Sequence, residues 1–282
     1  MLAMLPLLLG LDGRVVSTCA ATRLTADSLS VRFEHSGGQA ASMFRENGVV
    51  ALRNVASSGL VAQAQRIVES NVAACRARLE GRELELGLAY AEIAHRSDRR
   101  FDVSLGATAA VPGSHEELLA LVADAPWLPL VEELLGPDCK LLEVGAVVSA
   151  PGSQAQRPHR DGTQLFPGVE LPCDLPPYCL SVFLPLVQVT DINGPTEFLP
   201  GSHSYRPQLE QEPREEPIAL TTSIGDAIVF DFRVVHRGQA NRGEADRPVL
   251  YLTYARPWFR DHINFGWQRG EAPKLMSDAA VV

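Results

Sequence analysis

Gln156-Arg157-Pro158-His159-Arg160-Asp161-Gly162 sets an imidazole and a carboxylate two residues apart in a short extended segment. On a strand, side chains at i and i+2 point to the same side, so His159 and Asp161 can close together on one metal ion. The pair is weak evidence by itself, because about one chain in three with this His and Asp content holds a His-x-Asp by chance. A third ligand has to come from elsewhere. His236 is the best placed, in Val234-Val235-His236-Arg237-Gly238, a β-branched run closed by glycine that reads as a strand end. Two histidines and one carboxylate leave coordination positions open. That suits non-haem Fe(II) better than structural zinc, which takes a closed tetrahedral set of Cys and His.

The chain around these residues is β-rich. Candidate strands cover 141–149, 179–187, 196–199, 227–232, 234–236 and 249–254, separated by Gly, Pro and Asn. Upstream, Met43-Phe44 leads into Asn47-Gly48-Val49-Val50-Ala51-Leu52, a short helix, a glycine turn and a buried strand. Ser57 and Ser58 offer N-caps for a long helix with Leu60, Ala64, Ile67, Val68, Val72 and Cys75 on one face. Residues 85–95 and 99–105 read as strands, the second alternating through Phe101, Val103 and Leu105. His115-x-Glu117 is a rival ligand pair, but Ser114-x-x-Glu117 spells a capping box for a helix over 118–123, which accounts for the glutamate. A further helix over 128–135 ends at Gly136-Pro137. Helices first and strands after predict one mainly β barrel or sandwich buttressed by N-terminal helices.

Composition sets limits. A net charge of −9 argues against a polyanionic partner, so no nucleic acid is expected. A hydrophobic share of 46% with 21% charged residues is that of a folded globular protein rather than a disordered chain. The five cysteines, Cys19, Cys75, Cys139, Cys173 and Cys179, form no Cys-x-x-Cys, which indicates neither a disulfide framework nor a zinc knuckle. A reducing, intracellular setting follows, cytoplasmic or organellar. The apolar run at 1–11 is too short to cross a bilayer, so no integral membrane segment is expected. Residues 13–32, with Arg14, Arg23 and Arg32, many Ser and Thr and one acid, have the composition of a transit segment. Residues 1–36 are therefore read as a leader and 37–282 as a single domain. Nothing indicates an oligomeric state.

Taken in order, Gln156-x-x-His159-Arg160-Asp161, then Asn193-Gly194-Pro195-Thr196-Glu197-Phe198-Leu199-Pro200-Gly201-Ser202-His203, then Gly225-Asp226, His236-Arg237-Gly238 and Arg247 resemble the phytanoyl-CoA dioxygenase family of Fe(II)/2-oxoglutarate oxygenases. The resemblance runs from about residue 40 to 259. It implies a double-stranded β-helix (jelly-roll, cupin-like) with Fe(II) on His159, Asp161 and His236, and with 2-oxoglutarate and O2 as cosubstrates. It also implies that Arg247, eleven residues after the distal histidine, holds the far carboxylate of 2-oxoglutarate, and that Gln156 helps to bind it. A planar guanidinium at a strand start suits that role on physical grounds, with Arg233 and Arg256 as alternatives. His203 is implied to shape the barrel rather than bind metal, and Arg237 and Asn241 to orient the ligands.

The reaction so implied is hydroxylation or desaturation of a C–H bond with release of succinate and CO2; the presence of Asp161 separates the chain from related halogenases, which lack that carboxylate. Two rivals are a non-catalytic barrel binding a small molecule or metal, and a zinc hydrolase, for which a base as in His-Glu-x-x-His is missing. The proline-rich stretch 162–178 reads as a lid, with Leu165, Phe166 and Tyr178 offering an apolar wall to a small molecule, a lipid-like acyl group or a secondary metabolite. For an acyl-CoA, Arg157, Arg160 or the cluster Arg96–Arg100 could supply basic residues at the mouth.

Overall fold

The computed structural model describes residues 24–32, 38–79, 81, 84–166, 169, 173–204 and 216–261. The larger of two sheets is built from β1 (Ser30–Arg32), β2 (Val49–Arg53), β3 (Ala89–Tyr90), β4 (Ile93–Ser97), β5 (Arg100–Ser104), β6 (Lys140–Ser149), β7 (Cys179–Pro185), β10 (Ala227–Asp231) and β12 (Arg247–Ala255), in the order β1-β2-β10-β7-β12-β6-β5-β4-β3. The smaller holds β8 (Thr196–Phe198), β9 (Ile218–Leu220) and β11 (His236–Gly238), in the order β11-β8-β9. Among the described residues four α-helices accompany them: α1 (Gln39–Asn47), α2 (Ser58–Arg78), α3 (Ser114–Val122) and α4 (Leu128–Leu135).

Alternation along the strands sorts residues between two layers. Every residue of β12 is buried. Leu250, Leu252 and Tyr254 join Val144, Ala146 and Val148 of β6 and Val182 of β7 in a core shared with Phe44, Val68, Leu118, Trp127 and Val131 of the helical layer. On the opposite face Val49, Ala51, Ile228 and Phe230 pack against Phe198 and Leu220 of the small sheet. Helices therefore cover one side of the large sheet, and the small sheet closes over the other.

The long helix starts where expected, with Ser57 Oγ accepting from Leu60 N–H at 3.2 Å. Its buried stripe is Val61, Ala64, Ile67, Val68, Asn71, Val72 and Cys75, while Leu60 is only half-buried at the edge. At about 1.5–3 kcal/mol for each buried Val or Ile, that stripe outweighs the cap's contribution of about 1 kcal/mol.

Local readings are corrected in four places. The capping box is absent: Ser114 Oγ donates to Val111 O, the Glu117 N–H goes to Gly113 O, and Glu117 Oε1 accepts from Gln63 Nε2 at 3.0 Å. The segment 85–95 is not one strand, because Ala91 adopts a left-handed φ of 48° and turns β3 back onto β4. Val234 lies in a turn closed by its N–H to Asp231 O, so His236 opens a strand instead of ending one. Lastly, the sheet reaches into the stretch set aside as a leader. Ser30–Arg32 pair in parallel with Ala51–Arg53, and Leu29 and Val31 are buried. The large sheet thus begins before residue 37; residues 1–23 and 33–36 of that stretch lie outside the described residues.

A deletion of residues 1–36 is accordingly expected to melt about 5 °C or more below a deletion of residues 1–23, since it strips two buried apolar side chains and bares the β2 edge. Equal melting temperatures would show that β1 adds nothing to stability.

Candidate active site

β11 has two neighbours. On one side it pairs with β8, His236 opposite Phe198. On the other it meets the segment around His159, whose N–H donates to His236 O while the His236 N–H donates to His159 O, both at 2.9 Å. This reciprocal pair sets the two imidazoles side by side, ring centroids 4.5 Å apart. Asp161 Oδ1 lies 3.7 Å from His236 Nε2 and 4.0 Å from His159 Nε2. One ligand atom from each of the three residues lies within 4.8 Å of the others, and among the described residues no other such group occurs. An ion about 2.0–2.2 Å from each atom spans up to about 4.4 Å, so the three ligand atoms need to close by only a few tenths of an ångström around it.

The imidazoles are oriented for ligation. His159 Nδ1 faces Arg157 O at 2.9 Å and His236 Nδ1 faces Val234 O at 3.1 Å. A carbonyl only accepts, so each Nδ1 carries the hydrogen and each Nε2 keeps a lone pair for a metal. His236 is buried against the rings of Phe230 and Phe198, at 4.9 and 5.7 Å. Burial lowers its pKa to about 4 against the opposing pull of Asp161, which keeps it a neutral ligand at ordinary pH.

Beside this cluster the protein buries two guanidiniums with no acidic partner among the described residues. Arg247, 3% exposed, donates from one terminal nitrogen to Ser149 Oγ at 3.1 Å, and its Nε has no partner. Burial, and secondarily the charge of Arg100, lowers its pKa to about 9. Arg100, 1% exposed, donates to Gln154 O and Gln239 O, also with an unpartnered Nε, and burial lowers its pKa to about 10. Arg100, Ser149 and Arg247 are cross-strand partners in one row. Two like charges out of water without a counter-charge are costly, so the row is a site that an anion would complete. Thr222 Oγ1, likewise buried and unpartnered, lines the cavity that Arg247 borders.

Gly238 makes room for this row: a Cβ there would sit 2.5 Å from an Arg100 terminal nitrogen and 2.8 Å from Gln156 Oε1. Gln156 accepts the Gly238 N–H at 3.0 Å, which ties its side chain to β11 beside Arg100. The alternative arginines are engaged elsewhere. Arg233 pairs with buried Asp231 at 2.7 Å, and Arg256 donates to Pro177 O and Leu134 O. Arg100 was not singled out from the sequence, where it stood only in a basic cluster assigned to the mouth; Arg96 of that cluster pairs with Asp102. Arg160 donates to Arg233 O and Ser202 O, while Arg157 is exposed.

The side-chain hydrogen bonds of Arg237 and Asn241 among the described residues go elsewhere than to the ligands. Arg237 turns to Glu197 across β8, and Asn241 braces the turn before β12 through Ser149 O, Ala245 O and the Gly243 N–H. His203 donates to or accepts nothing from the cluster; its Nε2 meets Arg45 O and its ring packs over Gly48. In the proline-rich loop, Phe166 is 54% exposed and Leu165 half-buried, whereas Tyr178 is buried beneath, its hydroxyl donating to Thr163 O at 2.7 Å. Tyr178 thus supports the loop from below instead of forming its outer wall, and residues 167–168 and 170–172 lie outside the described residues.

These sheets and this cluster define a double-stranded β-helix carrying a His-Asp-His group on facing segments. Residues 44–249 match the family described as Phytanoyl-CoA dioxygenase (PhyH), and the chain belongs to that family. Among relatives, Dioxygenase af480 of Aspergillus fumigatus is 28% identical over 49% of this chain and 44% of its own length. Dioxygenase aneA of Aspergillus aculeatus is 34% identical, with the match covering 33% of this chain and 32% of that relative, so the chain spans less than half the length of these two. Dioxygenase trt7 of Aspergillus terreus is 26% identical over 82% and 78%. Among solved structures, the α-ketoglutarate-dependent carbocyclase SnoK from nogalamycin biosynthesis superposes with a TM-score of 0.61 at 23% identity, covering 86% of this chain and 94% of its own. HygX from Streptomyces hygroscopicus, solved with nickel, 2-oxoglutarate and hygromycin B, gives 0.52 at 16% identity, covering 77% and 86%.

Proposed function

We propose that the protein is an Fe(II)- and 2-oxoglutarate-dependent dioxygenase that hydroxylates or desaturates an unactivated C–H bond of a small, largely apolar molecule, with release of succinate and CO2. The observation that carries this reading is the coexistence, on one face of the large sheet, of three convergent ligand atoms and a buried guanidinium row without a counter-charge. His159, Asp161 and His236 would hold the iron and leave coordination positions open. Arg247, with Arg100 beside it, would receive the distal carboxylate of 2-oxoglutarate, and Gln156 keeps β11 in place against them. The iron, 2-oxoglutarate and O2 supply the oxidising chemistry when bound. The chain's own share is to fix the two imidazole tautomers, pair the carboxylate in a dry site and keep water from His236 with Phe198 and Phe230. Iron titration followed by succinate assay under O2 tests the reading. Iron-dependent succinate is expected; binding of both without any succinate would favour the alternative of a non-catalytic barrel.

The substrate is a lipid-like acyl group or a secondary metabolite, with the names of the solved relatives weighing toward the latter. No helix of the described residues is long and apolar enough to cross a membrane, and the four cysteines among the described residues are free thiols, which suits a reducing, intracellular compartment. Leu165 and Phe166 follow Asp161 closely, and exposed Phe166 is poised to fold over a bound substrate. Phe166→Ala is expected to uncouple the reaction, succinate persisting while oxidised product falls at least about threefold. An unchanged product-to-succinate ratio would remove the loop from the substrate site.

A further inference from the structure

Main-chain pairing fixes the two histidines of the cluster but stops short of the carboxylate. His159 and His236 meet in an isolated bridge, and past it Gly162 N–H donates to Phe232 O at 2.8 Å. Asp161 stands between these two points. Arg160 separates the two ligand residues in sequence. Successive side chains of an extended segment point to opposite sides, so Arg160 turns away from the cluster that His159 and Asp161 face. Its Nε donates to Arg233 O at 2.8 Å, and one terminal nitrogen donates to Ser202 O at 3.2 Å.

The carbonyls that receive Arg160 belong to a braced seat. Buried Asp231 accepts the main-chain N–H and the Nε of Arg233, both at 2.8 Å, and a terminal nitrogen of the same guanidinium at 2.7 Å. Val234 N–H closes the turn onto Asp231 O. One residue on, Val235 N–H donates to Ser202 Oγ at 2.8 Å, and Leu199 N–H donates to Val235 O at 2.9 Å. Ser202 Oγ in turn donates to Leu199 O at 2.6 Å. The turn before His236 and the turn at Ser202–Ser204 are thereby tied into one unit, and the Arg160 side chain joins the ligand segment to both. Hydrogen bonds from a cation are the stronger class. A rigid fork that spans two carbonyls of different segments is what a guanidinium offers and an ammonium does not.

We propose that Arg160 is a positioning residue: it sets where the Asp161 carboxylate closes on the metal, by hooking the segment between the two ligands onto the turn that leads into His236. The proposal rests on the metal-centre reading of the cluster. The segments of the two imidazoles are aligned by main-chain bonds. Asp161 Oδ1, 3.7 and 4.0 Å from their Nε2 atoms, is held on its flanks by the Arg160 guanidinium and the Gly162 N–H. The second flank fits closely: a Cβ at Gly162 would sit 2.5 Å from the Tyr178 hydroxyl and 2.7 Å from the Phe232 ring. Loss of the Arg160 hook frees the carboxylate to travel while the imidazole pair keeps its alignment.

The test titrates Ni(II) into the full chain and its Arg160 variants without 2-oxoglutarate, and follows amide hydrogen exchange of the metal-free proteins in parallel. Arg160→Ala should bind Ni(II) at least about tenfold more weakly than the wild type, the lower end of what losing a partner behind a metal ligand costs. Arg160→Lys should recover part of that loss. On an Asp161→Ala background, where two imidazoles remain for Ni(II), the Arg160→Ala change should cost about twofold at most, because its effect runs through the carboxylate. Exchange of the Gly162 N–H should quicken at least about tenfold in Arg160→Ala, while the His159 and His236 amides keep their protection. Undiminished Ni(II) affinity, unaltered protection of Gly162, or an equal loss of affinity with and without Asp161 would overturn the proposal, the last by showing a general structural role. Should Arg160→Ala not fold, Arg160→Lys decides, and full wild-type affinity in it overturns the proposal. A wild-type protein that binds no Ni(II), with the exchange pattern as expected, would instead sink the metal-centre reading and leave Arg160 as the anchor of the Asp161 segment.

Discussion

Asp161→Ala will fold normally and lose iron-dependent succinate formation by at least about a hundredfold, the upper end of what even an outer-shell partner of a metal ligand costs. Folding is spared because the two histidine segments are joined through main-chain hydrogen bonds that the substitution does not touch. The ion then has only two imidazoles, and the negative charge that offsets Fe(II) is gone. Iron content after dialysis, circular dichroism and succinate release decide the matter together. Turnover retained in a folded Asp161→Ala protein would rule the carboxylate out as a ligand.

Arg247→Ala will weaken 2-oxoglutarate binding by more than tenfold. A charge-assisted pair broken in a buried site costs about 2–5 kcal/mol, and tenfold corresponds to about 1.4 kcal/mol. Arg247→Lys will recover part of the loss, since an ammonium cannot offer the planar fork. A second readout separates binding from scaffolding. Because Arg247 is buried without an acidic partner among the described residues, with Nε unsatisfied, its removal will leave the melting temperature of the ligand-free protein unchanged or raised. A purely structural arginine would lower it. Unchanged 2-oxoglutarate dependence would move the role to Arg100, the one other buried guanidinium in the row.

Much of this was legible in the sequence. His159, Asp161 and His236 announced themselves through spacing and through the strand signals around them, and the helix over 128–135 was bounded by its own glycine and proline. What escaped had physical causes. In Arg100–Ser104 the alternation of Phe101 and Val103 marks a core-facing side, so the intervening Arg100, Asp102 and Ser104 read as solvent-facing. They are buried as well, because the strand lies between the helical layer and the barrel interior, and a two-faced strand cannot be told from a one-faced one by its pattern. Ser114 was given to a cap because four residues matched a box, yet Val111 O takes the Ser114 hydroxyl and Gly113 O takes the Glu117 N–H. Ser30–Arg32 is too short to carry any periodicity, and only its pairing with β2 gives it structure.

The reciprocal main-chain bonds between His159 and His236 have a consequence for how the centre is maintained over many turnovers. Two of the three candidate ligand residues are held in register by main-chain hydrogen bonds, so the alignment of their segments does not depend on a bound ion. Under the oxygenase reading, an ion lost from this centre would be exchangeable without refolding of the two segments that present the imidazoles.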